Sequence, residues 1–221
     1  MQFQSMEQYA NGMSVDEIRA QTRRDAQSAA TRTEIVEAAH RLMLERGYSP
    51  TSIGAIAHEA GVSVQTIYNS VGNKASLLSA VIDRAATDSD APDLVPEVLR
   101  KRVTGARNAT EIIRMLVDWL IEVNERTAKV YRVISQAAAV DADVAELEQR
   151  RATQRLHHFG EAASALRERH GLRSGLSDYE AAAAIWAIGH PQVYQALVAD
   201  LGWSTEAYRG WLDKTLIGAL T

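Results

Sequence analysis

The segment from Thr31 to Leu78 constrains the fold of this chain more than any other part of its sequence. Thr31 and Glu34 have the spacing of a capping box, which predicts that a helix begins at Thr31. Apolar residues then recur at the helical period until Gly47, a residue suited to the left-handed C-cap of a helix. The segment therefore opens with one amphipathic helix that ends at a glycine turn.

Two short helices are predicted to follow this turn. Thr51 or Ser52 can cap the first of them, and Ser63 can cap the second. Gly61 lies between the two helices and indicates a tight connection. Two short helices joined by a glycine-containing turn are typical of a helix-turn-helix, whose second helix enters the major groove of DNA. A purely structural corner between two helices has the same local pattern and is the alternative interpretation.

The segment closely resembles the N-terminal domain of the tetracycline-repressor (TetR) family of bacterial transcription regulators. The resemblance is carried by apolar, small and hydroxyl-bearing positions in one fixed order: Ile35, Ala38, Ala39, Gly47, Tyr48, Thr51, Ser52, Ile56, Ala57, Ala60, Gly61, Val62, Ser63, Thr66, Ile67, Tyr68, Lys74, Leu77 and Leu78. The family commonly has an aromatic residue where Val71 stands and His- or Tyr-type residues at Asn69 and Ser70. The operator sequence of a relative therefore cannot be transferred to this chain.

The resemblance implies a regulator, most simply a repressor, that binds a pseudo-palindromic operator in double-stranded DNA as a homodimer and is released by a small-molecule effector. The residues implied to face bases are Gln65, Thr66 and Asn69, and those implied to face phosphates or to cap the neighbouring helices are Thr51, Ser52, Ser63, Tyr68 and Lys74. No cofactor, no metal ion and no catalytic residue are expected.

The composition agrees with an all-α protein of the cytoplasm. The 221 residues are 46% hydrophobic and include no cysteine, so a packed core is expected and a disulfide framework is not. No apolar run approaches the length of a membrane span, and the first residues have no apolar secretory region. The net charge of −4 does not favour DNA binding by itself, so placed groups must make the contacts.

We expect an N-terminal extension at 1–30, the helix-turn-helix domain at 31–78, and a ligand-binding and dimerisation domain at 79–221. In the extension, Ser14 and Glu17 can cap a helix over 15–30, which either stands apart from the next helix or runs on into it. Its arginines could touch DNA, but nearby acidic residues also fit a solvated face. These arginines are Arg19, Arg23 and Arg24.

The remaining helices are predicted from capping residues and apolar periodicity. One starts near Asn73, a turn-rich break covers 88–92, and Pro96 suits the start of a short helix. Further helices are predicted from Asn108, over 127–139, over 143–169, from Ser177 to a break at 189–191, onwards to about Leu201, and from Ser204.

The C-terminal helices carry large or amphipathic residues that suit a small-molecule pocket. The candidate pocket residues are Met115, Trp119, Tyr131, Ser135, Gln136, Trp186, His190 and Tyr194. Ordinary core packing is the alternative for each of them. The last two long helices have broad apolar faces, which predict a four-helix dimer interface. The candidate interface residues are Ala184, Ile188, Tyr208, Trp211, Leu212 and Thr215.

Two other functions fit parts of the sequence. A helical small-molecule-binding protein whose DNA-binding face has decayed would explain the balanced charge and the residues at 69–71. A metal-dependent helical enzyme would use His157 and Glu161, which share a helical face, but no third ligand stands at a metal-type spacing.

Overall fold

The computed structural model describes residues 15–87 and 105–221, and all regular structure in these ranges is helical. The all-α fold class is therefore confirmed. The helices are α1 (Val15–Arg46), α2 (Ile53–Glu59), α3 (Val64–Ser70), α4 (Lys74–Ala86), α5 (Ala109–Ala138), α6 (Ala142–Glu168), α7 (Asp178–Ile188), α8 (Pro191–Tyr194) and α9 (Thr205–Leu220), with a π-helical segment at Gln195–Asp200 after α8. None of these helices has the length and apolarity to cross a bilayer.

Two helices continue through positions where a helix start was considered. Helix α1 passes through Thr31 without a break, so the run-on alternative is the one observed. Helix α5 likewise passes through Thr127, whose hydroxyl donates to the carbonyl of Val123 one turn earlier at 2.7 Å. Neither helix contains Gly or Pro, and a side chain that can cap does not end a helix whose backbone continues on both sides.

The helix-turn-helix is held by local caps and by one apolar core. The hydroxyl of Ser52 accepts from the N–H of Ala55 at 3.0 Å, and that of Ser63 accepts from Thr66 at 3.0 Å. Ile56 and Ile67 are fully buried against α1 and α4. Burial of each such side chain stabilises the fold by roughly 1.5–3 kcal/mol. The two short helices, which would be marginal alone, are thus fixed by packing.

The N-terminal core extends into the second half of the chain. Val130, Ile134 and Ala137 of α5 and Val144 of α6 belong to the same buried cluster as the helix-turn-helix. The Tyr48 hydroxyl donates to Asp141 at 2.8 Å. The last turns of α5 and the start of α6 therefore pack directly on the helix-turn-helix.

A second core joins α5, α6, α7 and α9. Its largest buried members on α9 are Tyr208, Leu212, Leu216 and Leu220, which recur at the helical period and face α5 and α7. The capping box of Ser177 and Glu180 is confirmed at the start of α7, and Ser204 caps α9. Asn108 and Asn73 cap α5 and α4 as predicted.

The helical conformation is interrupted between α7 and α8, at Gly189 and His190, and resumes at Pro191. The Gly189 carbonyl, which has left the helical ladder, accepts from the side-chain amide of buried Asn124 at 3.1 Å. The predicted continuous helix to about Leu201 is instead a short α-helix followed by the π-helical segment.

Some predictions lie outside the described residues: the cap at Ser14, the break at 88–92 and the helix at Pro96. The division into 1–30, 31–78 and 79–221 stays a prediction.

Candidate functional site

Helix α3 turns a polar face away from the core. Ile67 is fully buried, while Gln65 and Asn69 are exposed and lie one turn apart. The Gln65 amide donates to the Asn69 side-chain oxygen at 2.9 Å, so the two side chains share one face as predicted. Each can offer a donor and an acceptor to the edge of a base pair.

The start and end of α3 are fixed by further hydrogen bonds. The hydroxyls of Ser63 and Thr66 lie 2.8 Å apart, so both belong to the N-terminal cap. Arg32 of α1 donates to the carbonyl of Ser70 at 2.5 Å, which ties the last turn of α3 to α1. Tyr68 is 49% exposed, so its ring projects beside the polar face.

Thr51 is not placed as the sequence predicted. Its side chain is 1% exposed, and its hydroxyl donates to the carbonyls of Gly47 at 2.7 Å and Leu42 at 3.2 Å. The prediction that its hydroxyl faces a phosphate is wrong for this geometry, because the group closes the turn after α1. Ser52, by contrast, is exposed and caps α2.

Lys74 begins α4 beside this surface. Its ammonium lies 4.1 Å from the centroid of the Tyr48 ring and donates to the carbonyl of Ser49 at 3.3 Å. Partial burial lowers the pKa of Lys74, and nearby Asp141 opposes this change. The ammonium is therefore held in a fixed position next to the helix-turn-helix.

A cavity of about 420 Å³ lies between α4, α5, α6 and α7 and reaches the break before α8. It includes four of the eight predicted pocket residues: Trp119, Tyr131, Trp186 and His190. The surface of the cavity as a whole is mainly apolar, and Ile82, Leu120, Val123 and Phe159 are among the lining residues.

The other four predicted pocket residues do not line this cavity. Met115 packs against the C-terminal core. The Ser135 hydroxyl accepts from the Gln192 side chain at 3.1 Å, and Gln136 is exposed. Tyr194 packs edge-on against Tyr208, with ring centroids 5.1 Å apart. These residues point away from the cavity because α5 and α8 turn other faces towards it.

Sequence reasoning missed the polar groups that α6 supplies to the cavity. Arg151, Arg155 and His158 all line it. A signal was present, because Arg151, Arg155 and Phe159 are four residues apart and therefore share the face that carries the buried Phe159.

Arg155 and His190 form the polar centre of the cavity. One guanidinium nitrogen of Arg155, Nη2, lies 2.9 Å from Nε2 of His190. The guanidinium also lies 4.6 Å from the centroid of the Tyr131 ring. Burial and the charge of Arg155 lower the pKa of His190 to about 4, so its imidazole is neutral near pH 7.

Arg151 links the cavity to α4. Its guanidinium donates to the hydroxyl of Ser79 at 3.0 Å and lies 2.5 Å from a carboxylate oxygen of Asp83. Asp83 is itself part of the cavity wall. Arg151 and Asp83 therefore connect the cavity wall on α6 to α4, the helix that starts at Lys74.

Two of the six predicted dimer residues are buried within the single chain. Tyr208 and Leu212 have no exposed surface and belong to the C-terminal core, so they are not available to a partner. Trp211 is partly exposed and stacks on Tyr208 at 5.8 Å between ring centroids. The other three, Ala184, Ile188 and Thr215, are also partly exposed.

The pair His157 and Glu161 lies exposed on α6. Within residues 15–87 and 105–221, no three side chains of metal-ligating type are grouped to hold an ion.

Comparison with known proteins places the helix-turn-helix in a family. The family model of bacterial regulatory proteins, tetR family, matches residues 35–81. Residues 35–81 form a TetR-family domain.

Two relatives by sequence align with a short part of this chain. The HTH-type transcriptional regulator TtgR of Pseudomonas putida is 42% identical over 62 residues, which are 28% of this chain and 29% of TtgR. The probable HTH-type transcriptional regulator ArpR, also of Pseudomonas putida, matches with the same figures. The aligned part thus spans less than a third of the length of either relative.

Solved structures extend the likeness in fold to most of the chain. NalD of Pseudomonas aeruginosa, the secondary repressor of the MexAB-OprM multidrug efflux pump, superposes with a TM-score of 0.67 at 23% identity, over 88% of this chain and 98% of NalD. SmeT in complex with triclosan superposes with a TM-score of 0.68 at 23% identity, over 87% of this chain and 92% of SmeT. The helices that follow the TetR-family domain therefore have the arrangement of these proteins.

Proposed function

We propose that this chain is a transcriptional repressor that binds a pseudo-palindromic operator as a homodimer and is released by a small molecule. The observation that carries the proposal is the exposed pair Gln65–Asn69 on α3, inside the TetR-family domain. Both side chains can hydrogen-bond adenine through two contacts each. Ser52, Tyr68 and Lys74 surround this face and supply groups for the DNA backbone.

A dimer is needed for this mode of binding. The recognition helices of a two-fold symmetric dimer enter successive major grooves, about 34–36 Å apart. Helix α9 leaves an outward stripe on which Lys214 and Gly218 are exposed, whereas Ile217 beside them packs partly against the C-terminal core. We place the dimer interface on this stripe and on the partly exposed residues of α7.

The position of the cavity supports a ligand-controlled switch. Asp83, at the cavity wall, and Lys74, beside the DNA-binding surface, are on the same helix, α4. A ligand that moves α4 would change the spacing of the two recognition helices. The solved complexes of SmeT with triclosan and of a Saccharomonospora viridis regulator with choline are similar folds determined with small molecules. They support a ligand site in this fold and do not identify the ligand of this chain.

Selection of duplexes from a random DNA library by the purified chain tests the proposal. We expect an enriched pseudo-palindrome. We also expect Gln65→Ala to lose roughly 1–3 kcal/mol of discrimination at one position of each half-site. Lys74→Ala should weaken binding to all sequences alike, because a phosphate contact carries no sequence information. Gln149→Ala, an exposed glutamine on α6, is the matched control.

The alternative, a small-molecule-binding protein with a decayed DNA-binding face, predicts no enriched duplex at all. Wild-type affinity and preference in both Gln65→Ala and Lys74→Ala would show that the assigned surface is wrong.

A further inference from the structure

The cavity contains a buried positive charge with which no acidic group of the described residues forms an ion pair. Arg155 lies between the rings of Tyr131 and Trp186, with its guanidinium carbon 4.6 Å and 5.6 Å from their centroids. Its Nε and Nη1 are buried and have no hydrogen-bond partner. Asp83 is the acidic residue of the cavity wall, and its carboxylate pairs with Arg151. Burial lowers the pKa of Arg155, although the Tyr131 side chain and the charge of Glu148 act in the opposite direction. The two unpartnered nitrogens are costly, because they have lost their hydration without gaining acceptors.

His190 cannot accept hydrogen bonds from both of its neighbouring donors. Its Nδ1 accepts from the backbone N–H of Gln192 at 3.1 Å, and its Nε2 faces Nη2 of Arg155 at 2.9 Å. Both neighbours are donors, whereas a neutral imidazole has one acceptor nitrogen and one N–H. If Nδ1 accepts, Nε2 carries the hydrogen and faces another donor. Protonation of the ring would leave no acceptor nitrogen and would add a second charge beside Arg155.

Trp186 adds a third donor to the same corner. Its indole Nε1 is buried and has no partner, and its ring lies 4.9 Å from that of His190 between centroids. An indole nitrogen can only donate. The corner formed by Arg155, His190 and Trp186, which we call the donor corner, therefore has more hydrogen-bond donors than acceptors.

From the donor corner we infer that the ligand of this cavity is an organic anion with an aromatic or other apolar body, bound with its acidic oxygens at Arg155, His190 and Trp186. This inference rests on the proposed function, in which the cavity is the effector site. A carboxylate or sulfonate supplies several acceptor positions and matches the geometry of a guanidinium. The apolar body would lie along the rest of the wall, including Trp119 and Phe159. A cation would add charge to a site that already has an excess.

Two fluorescent dyes that differ by one acidic group provide the test. 8-Anilinonaphthalene-1-sulfonate is the anion, and N-phenyl-1-naphthylamine is the same body without the sulfonate. Each is titrated into the purified full chain, and the affinity of the saturable site with one dye per chain is compared. Hydrogen bonds to charged groups contribute about 1.5–3 kcal/mol, so we expect the sulfonate to bind about 10- to 150-fold more tightly than the neutral dye.

Arg155→Met should remove this preference while leaving the affinity for the neutral dye unchanged, because Met keeps the apolar stem of the side chain. Arg150→Met is the matched control, since Arg150 is exposed on the same helix and pairs with Glu146. The melting temperature of Arg155→Met should be equal to or higher than that of the wild type without ligand, because the variant removes a charge whose loss of hydration is only partly compensated.

Equal affinity of the wild-type chain for the two dyes would overturn the inference, and this comparison requires no variant to fold. If a folded Arg155→Met variant binds neither dye, the inference is also overturned, since the arginine would then only shape the cavity. Binding of the selected DNA duplex is measured on the same protein. If the chain prefers the sulfonate but binds no DNA, the inference stands and the proposed function is wrong. If the chain binds DNA but prefers the neutral dye, only the inference is wrong.

Discussion

At the scale of single residues, Gly189 shapes the cavity through its lack of a side chain. It ends α7 where that helix crosses α5, and a Cβ at this position would lie 2.6 Å and 2.8 Å from the two terminal carbons of Leu120. Leu120 is buried in the C-terminal core and lines the cavity, so an added methyl group would force it out of its present position. The glycine therefore allows the close approach that places His190 in the cavity wall.

We expect Gly189→Ala to lower the free energy of unfolding by about 1–3 kcal/mol, because overpacking forces Leu120 or the backbone to shift. Urea unfolding of the wild type and the variant at the same protein concentration measures the difference in the free energy of unfolding. Gly160→Ala is the control: it is inside α6, and no atom lies within 4 Å of its added Cβ. There the same substitution should stabilise by about 0.5–1 kcal/mol through helix propensity. Stabilisation by both substitutions would contradict the close approach.

At the scale of helices, α4 and α6 are joined by the half-buried ion pair of Arg151 and Asp83. Arg151 is also held by the Ser79 hydroxyl, so little further side-chain freedom is lost when it meets the carboxylate. The pair of Arg150 and Glu146, one turn apart on α6, is solvent-exposed and has no such support among the described contacts. Comparing the coupling energies of the two pairs therefore shows whether an ion pair between helices is stronger than an ion pair within one helix.

A double-mutant cycle with Arg151→Met and Asp83→Asn should give a coupling energy of about 1 kcal/mol, because the arginine is mostly buried. The same cycle with Arg150→Met and Glu146→Gln should give about 0.3–0.5 kcal/mol, the range for an exposed pair within a helix. Urea unfolding of the four proteins in each cycle provides the values. A smaller coupling energy for Arg151–Asp83 than for Arg150–Glu146 would show that the Arg151–Asp83 pair does not hold α6 to α4.

At the scale of the whole molecule, the outward stripe of α9 can be tested without disturbing the core of one chain. Nothing lies within 4 Å of a Cβ added at Gly218. Trp211 is less suitable for substitution, because it stacks on the buried Tyr208. A large charged side chain at Gly218 should therefore fit a monomer and block close packing of two α9 helices.

We expect the wild-type chain to sediment as a dimer at micromolar concentration and Gly218→Arg to sediment as a monomer with unchanged helical content. Gly160→Arg, which places the same side chain on α6, should remain a dimer. A monomeric wild-type chain would exclude the proposed assembly, and a dimeric Gly218→Arg would move the interface to another surface.

The proposed switch also predicts how the affinities of the dimer for operator and for ligand depend on each other. A small molecule that lowers operator affinity must itself bind more weakly to the operator complex, by the same factor of about 5- to 150-fold. Titration of a compound found by operator release, with and without the selected duplex, gives both factors. Equal affinity of the compound in the two titrations would mean that it does not act through this equilibrium.

The sequence alone determined most of the helix starts and the fold class. Asn73, Asn108, Ser177 and Ser204 cap helices as predicted, because a cap depends on residues within one turn of it. The polar face of α3 was also predictable, since Gln65 and Asn69 share a face in any helix. These features follow from local geometry and need no knowledge of distant contacts.

Tertiary structure decided which side of each helix is buried and which local signals are overridden. The sequence pattern of α9 predicts an apolar stripe but not whether Tyr208 and Leu212 meet their own chain or a partner. The capping pattern at Thr31 is locally valid, yet the helix continues through it. Arg155 was not among the predicted pocket residues, and it is partly buried in the cavity wall because α5 and α7 pack near that face of α6. Burial depends on partners far away in the chain, and for that reason the donor corner is visible only in the folded molecule.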